Sequence, residues 1–301
     1  MSNIDRAHSP AWASLPVIGL NEDPDGYDID ARTPNGEQHL QAFAERSAAA
    51  RQAAGLQART VSYADHSLAV ADVFRPGHGT VRGTVVFVHG GYWKGAGRPN
   101  RAFLAPAWVA EGVQWVNLGY PVAPETPLPE ICRLTRGAML AMMRGDAPFG
   151  GMDGPIVLSG NSAGAHLVAH ALLEPQLQAA AAGRLAGCML LSGLYDLEPL
   201  VSLPANAWMR LDARLAAELS PLRHDVPSLD APVLVTVGAD EPDAFIGQSR
   251  AYARHLLGRV EIDYREVDGR NHMTMISALE SPDAVLGRIV AGWLGLRADG
   301  Q

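Results

Sequence analysis

The sequence has little cysteine: two residues in 301, Cys132 and Cys188, both in apolar surroundings and without metal-type spacing. Two such thiols make neither a disulfide framework nor a zinc site, and buried, reduced cysteines of a cytoplasmic protein are the expectation. Positive charge is also short. Lys and Arg total 24 against 32 Asp and Glu, a net charge of −8 with no basic block, which argues against a nucleic-acid partner or an anionic membrane surface. No apolar run reaches the length of a membrane span, and the opening Met1-Ser2-Asn3-Ile4-Asp5-Arg6 lacks the apolar stretch of a secretion signal. Internal repeats, low-complexity tracts and Pro/Ser-rich linkers are missing as well, so nothing in the composition divides the chain. There is no H-E-x-x-H, and Gly90-Gly91 is not followed by the Gly-Lys-Ser/Thr of a phosphate loop. Neither a metal nor another cofactor is therefore expected. The expected partner is a small-molecule substrate, with a homodimer left open.

What the chain does have is material for a core. It is 48 % hydrophobic and 19 % charged, enough for one large α/β domain. Residues 1–60 read as a polar lead-in followed by a helical stretch, Glu37 to Ala54. Beyond them, short apolar runs alternate with helical patterns. The runs are Leu68 to Phe74, Thr84 to Val88, Val113 to Leu118, Ile156 to Ser159, Gly187 to Leu191, Val233 to Val237 and Val260 to Val267. Most are continuously apolar, as parallel strands covered on both faces must be. The helical patterns are Asn100 to Glu111, Glu130 to Met143, Ala163 to Leu173, Asp243 to Leu257 and Pro282 to Leu296. Such alternation predicts one mostly parallel sheet flanked by helices, a single domain spanning 1–301. The segment Leu194 to Asp225 is too long for a simple crossover and is expected to form a lid over the site.

One pentapeptide carries the chemistry. Gly160-Asn161-Ser162-Ala163-Gly164 lies between an apolar run and a helical pattern, where G-x-S-x-G forms the nucleophile elbow of an α/β-hydrolase. A serine needs a base to take its proton and an acid to orient that base, and in this fold they follow it in the order Ser, acid, His. After the Val233–Val237 run comes Gly238-Ala239-Asp240-Glu241, which offers two adjacent acids. After Glu266-Val267 comes Asp268-Gly269-Arg270-Asn271-His272. Only His255 and His272 follow the acid loop, and His255 stands inside a helical pattern, so His272 is the expected base. Upstream, the strand Val85–Val88 runs into His89-Gly90-Gly91-Tyr92-Trp93. A strand ending in His-Gly-Gly suits an oxyanion hole, whose donors would be the backbone N–H groups of Gly91, Tyr92 and Ala163. His89 is expected to order its loop rather than act as a second base. His166 and His170 stand four apart on one helical face, and they read as packing residues rather than a metal pair; Met139, Met142 and Met143 read as core.

These motifs together resemble the arylformamidase (kynurenine formamidase) type of α/β-hydrolase, related to hormone-sensitive-lipase-like esterases. The resemblance rests on His89-Gly90-Gly91-Tyr92-Trp93, on Gly160 to Leu167, on Leu191 to Leu200, on Ser220-Pro221, and on Phe245, Gln248-Ser249 and Asn271-His272. Asp72 to Pro76 joins them, and the match covers roughly residues 60 to 296. It implies the α/β-hydrolase fold and a triad of Ser162, Glu241 and His272, with Asp240 as the alternative acid. It also implies hydrolysis of an N-formyl aryl amide such as N-formylkynurenine, with a carboxylesterase on the same triad as the competing activity. Tyr92 and Trp93 would lie beside the acyl group, and Phe245 or the Trp208-Met209 segment would wall an aryl pocket.

Overall fold

The computed structural model describes residues 10–20, 24–33, 35–53, 56–95, 97–152, 154–226 and 228–296. Among them, the strands β1 (Gln57–Ser62), β2 (Val70–Arg75), β3 (Gly83–Val88), β4 (Val113–Leu118), β5 (Ile156–Asn161), β6 (Leu185–Leu191), β7 (Leu229–Gly238) and β8 (Val260–Val267) form one sheet. Its order is β1-β2-β4-β3-β5-β6-β7-β8. The pairings β1·β2 and β2·β4 are antiparallel, and every pairing from β4 to β8 is parallel.

Burial explains which strands were legible. β3, β4 and β5 are buried at every position, because helices cover both faces of the sheet and leave no polar side to alternate. Side chains still divide by parity. Val86, Val88 and Leu158 join one core with Ile131, Leu167 and Phe245, from the helices Leu128–Arg144, Ala163–Ala171 and Asp243–Leu256. Val85, Phe87 and Val157 join the other, with Trp108 and Val290 from the helices Ala105–Ala110 and Gly287–Trp293. Phe43, from the helix Gly36–Gln52, belongs to this second core. The two thiols are free and buried within the structure. Among the described residues no helix is long and apolar enough to cross a membrane.

The structure departs from the expected elements in four places. The edge strand β1 reads Gln-Ala-Arg-Thr-Val-Ser, and its polar composition hid it: it pairs on one side only, with β2. The expected helix Asn100 to Glu111 is a 3-10 stretch, Arg98–Leu104, followed by the α-helix Ala105–Ala110. Pro99 and Pro106 supply no backbone N–H, which explains the break. The C-terminal helix runs only from Gly287 to Trp293. Of the helical stretch Glu37 to Ala54, Ala54 lies outside the described residues, and the observed helix ends at Gln52.

The segment expected to be a lid is a chain of short turns and helices, Glu198–Ser202, Asn206–Met209, Ala213–Leu219 and Pro221–Arg223. It is tied to the body of the domain. Gln248 accepts from the N–H groups of Tyr195 and Asp196 at 2.8 Å and donates to the Asp196 carbonyl. Within the segment, the Ser220 hydroxyl accepts from the Leu197 N–H at 2.7 Å.

Candidate active site

Parallel strands end together along one rim, and the chemically interesting loops leave from it. In register, Val88 of β3 stands beside Gly160 of β5, Asn161 beside Leu191 of β6, Leu191 beside Thr236 of β7, and Gly238 beside Val267 of β8. The next few residues of each strand are the motifs singled out above.

The elbow is tight because a helix must start against the end of a neighbouring strand. A Cβ on Gly164 would stand 2.0 Å from the Val88 carbonyl oxygen, and one on Gly160 would stand 2.4 Å from the Gly164 carbonyl oxygen. Neither position admits any other residue without shifting backbone. Between them Ser162 adopts φ 55° and ψ −122°, a conformation that costs a non-glycine residue about 1–3 kcal/mol. Its N–H donates to the Leu191 carbonyl at 2.8 Å, which anchors the strained turn to β6.

The acid and base loops are locked to each other. A Cβ on Gly238 would lie 2.1 Å from the Arg270 carbonyl oxygen, so glycine lets the two loops touch. Ala239 N–H then donates to Val267 and Asp240 N–H to Arg270, both at 3.0 Å. Glu241 Oε2 accepts from His272 Nδ1 at 2.6 Å, while Oε1 accepts from the Ser192 hydroxyl at 2.5 Å and the Gly238 N–H at 2.8 Å. Asp240 is exposed. The carboxylate holds the proton on Nδ1, which leaves Nε2 as the acceptor nitrogen. Asn271 shapes the turn before the histidine, its side-chain oxygen accepting from the Met273 and Thr274 N–H groups. No direct Ser162–His272 hydrogen bond forms among the described residues, but both side chains line one cavity of about 420 Å³. Such bonds are often long before substrate binds.

The loop after β3 presses on the elbow: a Cβ on Gly90 would stand 3.0 Å from Ser162 Cβ. Gly91, Tyr92 and Trp93 take φ values of 113°, 48° and 54°, so three successive residues lie in the left-handed region. The strained loop is held from outside. Tyr120 donates to the His89 carbonyl at 2.9 Å, Ala123 N–H to Trp93 at 2.8 Å, and the Trp208 indole to the Tyr92 carbonyl at 3.1 Å. His89 Nδ1–H donates to the Gly90 carbonyl, and its ring stacks on Tyr120 with centroids 4.2 Å apart. Burial pushes the His89 pKa down to about 3, so the ring is neutral and orders this loop. The N–H groups of Gly91 and Ala163 have no acceptor among the described residues.

His166, one turn behind the serine, is buried and donates from Nε2 to the Leu219 carbonyl at 2.8 Å. Trp93 meets it edge-on, 5.0 Å between centroids. Among the described residues no group of three or more His, Cys, Asp and Glu side chains could hold a metal ion. Burial lowers the pKa of His166 to about 3 and of His170 to about 4. Unfolded histidines take up protons below about pH 6.5 while these do not. Stability is therefore complete above that pH and falls as pH drops toward 3–4, at about 1.4 kcal/mol per pH unit for each proton. Urea midpoints at pH 7 and pH 5 will show this loss. His166→Gln will flatten the slope; an unchanged slope would mean that His166 is not the group refusing the proton.

The cavity is walled from an unexpected direction. Ile29, Leu40 and Phe43 of the N-terminal region line it together with Tyr92, Met273 and Ile276. The N-terminal helix is fastened there by the buried Asp72, which accepts from Arg51 at 2.5 Å, from Thr60 at 2.7 Å, and from Arg98 of the loop after β3. Of the segment expected to be a lid, Trp208 is the contributor to the lining. Of the expected alternatives for the aryl wall, Trp208 rather than Phe245 lines the cavity, and the expected place of Trp93 needs correction. Trp93 is fully buried, edge-on against His166, rather than beside the acyl position. Phe245 lies behind His272, centroids 4.4 Å apart, and supports the imidazole instead of walling the pocket. Sequence reasoning missed Ser192, which takes φ 51° and bonds Glu241; it stood within the Leu191 to Leu200 match but had no assigned role. It also missed Arg101, a lone arginine in a region read as helix.

A mostly parallel eight-stranded sheet, with a strained serine at a strand-to-helix turn and a Glu–His pair on the last strand loops, defines the class: an α/β-hydrolase. The family model for the alpha/beta hydrolase fold matches residues 85–276, well over half of the chain, and the protein belongs to that family of hydrolases. Within it, the chain is similar to kynurenine formamidases. It is 27% identical to the Danio rerio enzyme over 216 residues, 70% of this chain and 72% of that protein. To the Drosophila melanogaster enzyme it is 26% identical over 215 residues, 68% and 71% of the two chains. Among solved structures, one from Silicibacter sp. TM1040, provisionally described as a thioesterase, superposes with a TM-score of 0.79 at 30% identity, covering 91% of this chain and all of that one. An esterase of the bacterial hormone-sensitive lipase family superposes with a TM-score of 0.63 at 21% identity over 87% of this chain and 96% of that chain, a likeness of fold.

Proposed function

We propose that the protein is a serine-dependent arylformamidase, cleaving the carbon–nitrogen bond of an N-formyl aryl amide such as N-formylkynurenine. The observation that carries this is the buried Glu241–His272 pair opening, with Ser162, onto one aromatic-walled cavity. Likeness to kynurenine formamidases supplies the formamide. In the first step Ser162 Oγ attacks the formyl carbon as His272 Nε2 takes its proton, and the carbonyl oxygen becomes an oxyanion. Backbone N–H groups of Gly91, Tyr92 and Ala163 are the donors proposed to meet that charge. The C–N bond then breaks, His272 returns the proton to the departing nitrogen, and the arylamine leaves. Water, deprotonated by His272, attacks the formyl ester; formate departs and Ser162 is restored.

A second reading, hydrolysis of small acyl or aryl esters by the same residues, is favoured by the esterase neighbours and by the provisional name of the Silicibacter structure. The two are separated by kcat/KM on N-formylkynurenine against phenyl acetate. Preference for the formamide supports the first; a preference for the ester by several orders of magnitude would sink it.

A further inference from the structure

Arg101 carries a charge yet is only 4 % exposed, and it lines the same cavity as Ser162 and His272. Neighbouring arginines are paired, Arg51 and Arg98 both on Asp72. Arg101 has no such partner. Its Nη1 donates to the Asn100 carbonyl at 3.0 Å, while Nε is enclosed without an acceptor, and among the described residues no carboxylate pairs with the guanidinium. The group lies over the Phe43 ring, 5.2 Å from its centroid. Buried charges are normally paired, so an unpaired one at a cavity wall points to a ligand that completes it.

The surroundings favour an anion. Lys94, the only lysine in the sequence, lines the same cavity with its ammonium 4.2 Å from the Trp208 ring centroid. Among the described lining residues there is no Asp or Glu, although the chain as a whole carries −8. Two cations and no acid in the cavity of an acidic protein concentrate anions there.

We infer that Arg101 is the receptor for a carboxylate on the substrate, so that the enzyme selects anionic aryl acyl compounds over neutral ones. Nη2, which makes no hydrogen bond among the described residues, is the donor left to meet that carboxylate in a charge-assisted hydrogen bond. A cavity of about 420 Å³ holds one small molecule, so carboxylate and scissile carbonyl belong to the same substrate. The inference rests on Ser162 being the nucleophile, and it holds for formamide and ester substrates alike.

Two matched pairs test it: 2-formamidobenzoate against formanilide, and 4-acetoxybenzoate against phenyl acetate. The wild-type protein is expected to favour the carboxylate-bearing member of each pair it cleaves by roughly 10–100-fold in kcat/KM, mostly through KM. Arg101→Gln will bring that ratio close to one, and Arg101→Lys will restore part of it. Inhibition of the wild-type protein by benzoate but not benzamide reads the same site without any variant, and decides the matter if Arg101→Gln does not fold. Cleavage of esters alone, with the carboxylate preference intact, would overturn the formamidase proposal and uphold the anion site. Equal rates within each pair together with equal inhibition by benzoate and benzamide would overturn the anion site. So would a folded Arg101→Gln variant that slows both members of a pair by the same factor.

Discussion

Ser162→Ala will lower kcat by roughly 10⁴–10⁶-fold on every substrate the protein hydrolyses, with the folded state unchanged. The alanine keeps the Cβ and backbone of the elbow and removes only Oγ, which makes no capping hydrogen bond to the helix it precedes. The strain at φ 55° belongs to the turn and is the same for either side chain. Loss of activity is therefore chemical and not structural. His272→Ala will cost a similar factor, and the double variant little more, because nucleophile and base act as one unit. Single-turnover kinetics with a thermal melt on each variant will check this. Unchanged hydrolysis in a folded Ser162→Ala protein would remove the serine from the mechanism.

Glu241→Gln will reduce kcat/KM by roughly 10³–10⁴-fold, whereas Asp240→Asn will leave it within about twofold of wild type. The carboxylate accepts three hydrogen bonds, from His272, Ser192 and Gly238. A glutamine amide has one accepting oxygen and one donating nitrogen. Turned one way, its NH₂ faces His272 Nδ1–H and forces the imidazole into the wrong tautomer. Turned the other way, it faces the Gly238 N–H. Asp240 sits in solvent, one residue away. Kinetics on both variants would overturn the assignment of the acid if Asp240→Asn were the more damaged.

Most of the frame was legible because of where it sits. β3 to β7 are largely buried on both faces, so their sequences are nearly unbroken apolar runs. β1 was invisible for the opposite reason, a polar strand at the sheet edge. Ser162 and His272 could be located because each follows a readable strand, and the glycines around them mark close backbone approaches. Choosing between Asp240 and Glu241 was beyond periodicity, since adjacent residues on a loop have no fixed face. It took the contact between the β7 and β8 loops, with Gly238 lying against Arg270, to turn one carboxylate inward and leave the other in water.

Local sequence thus determined where the candidate residues stand: serine, then acid, then histidine, each at the end of an apolar run. Those features depend on neighbours in the chain, and local pattern suffices to read them. Which side chains line the cavity beside Ser162 was decided by tertiary structure alone. Phe43 and Arg101 are far from Ser162 in sequence and reach its cavity because Asp72 ties the N-terminal helix and the loop after β3 to the same strand. Trp93 and Phe245 stand beside the motifs yet face the core. A pocket wall is made by packing between distant segments, and no spacing along the chain encodes it.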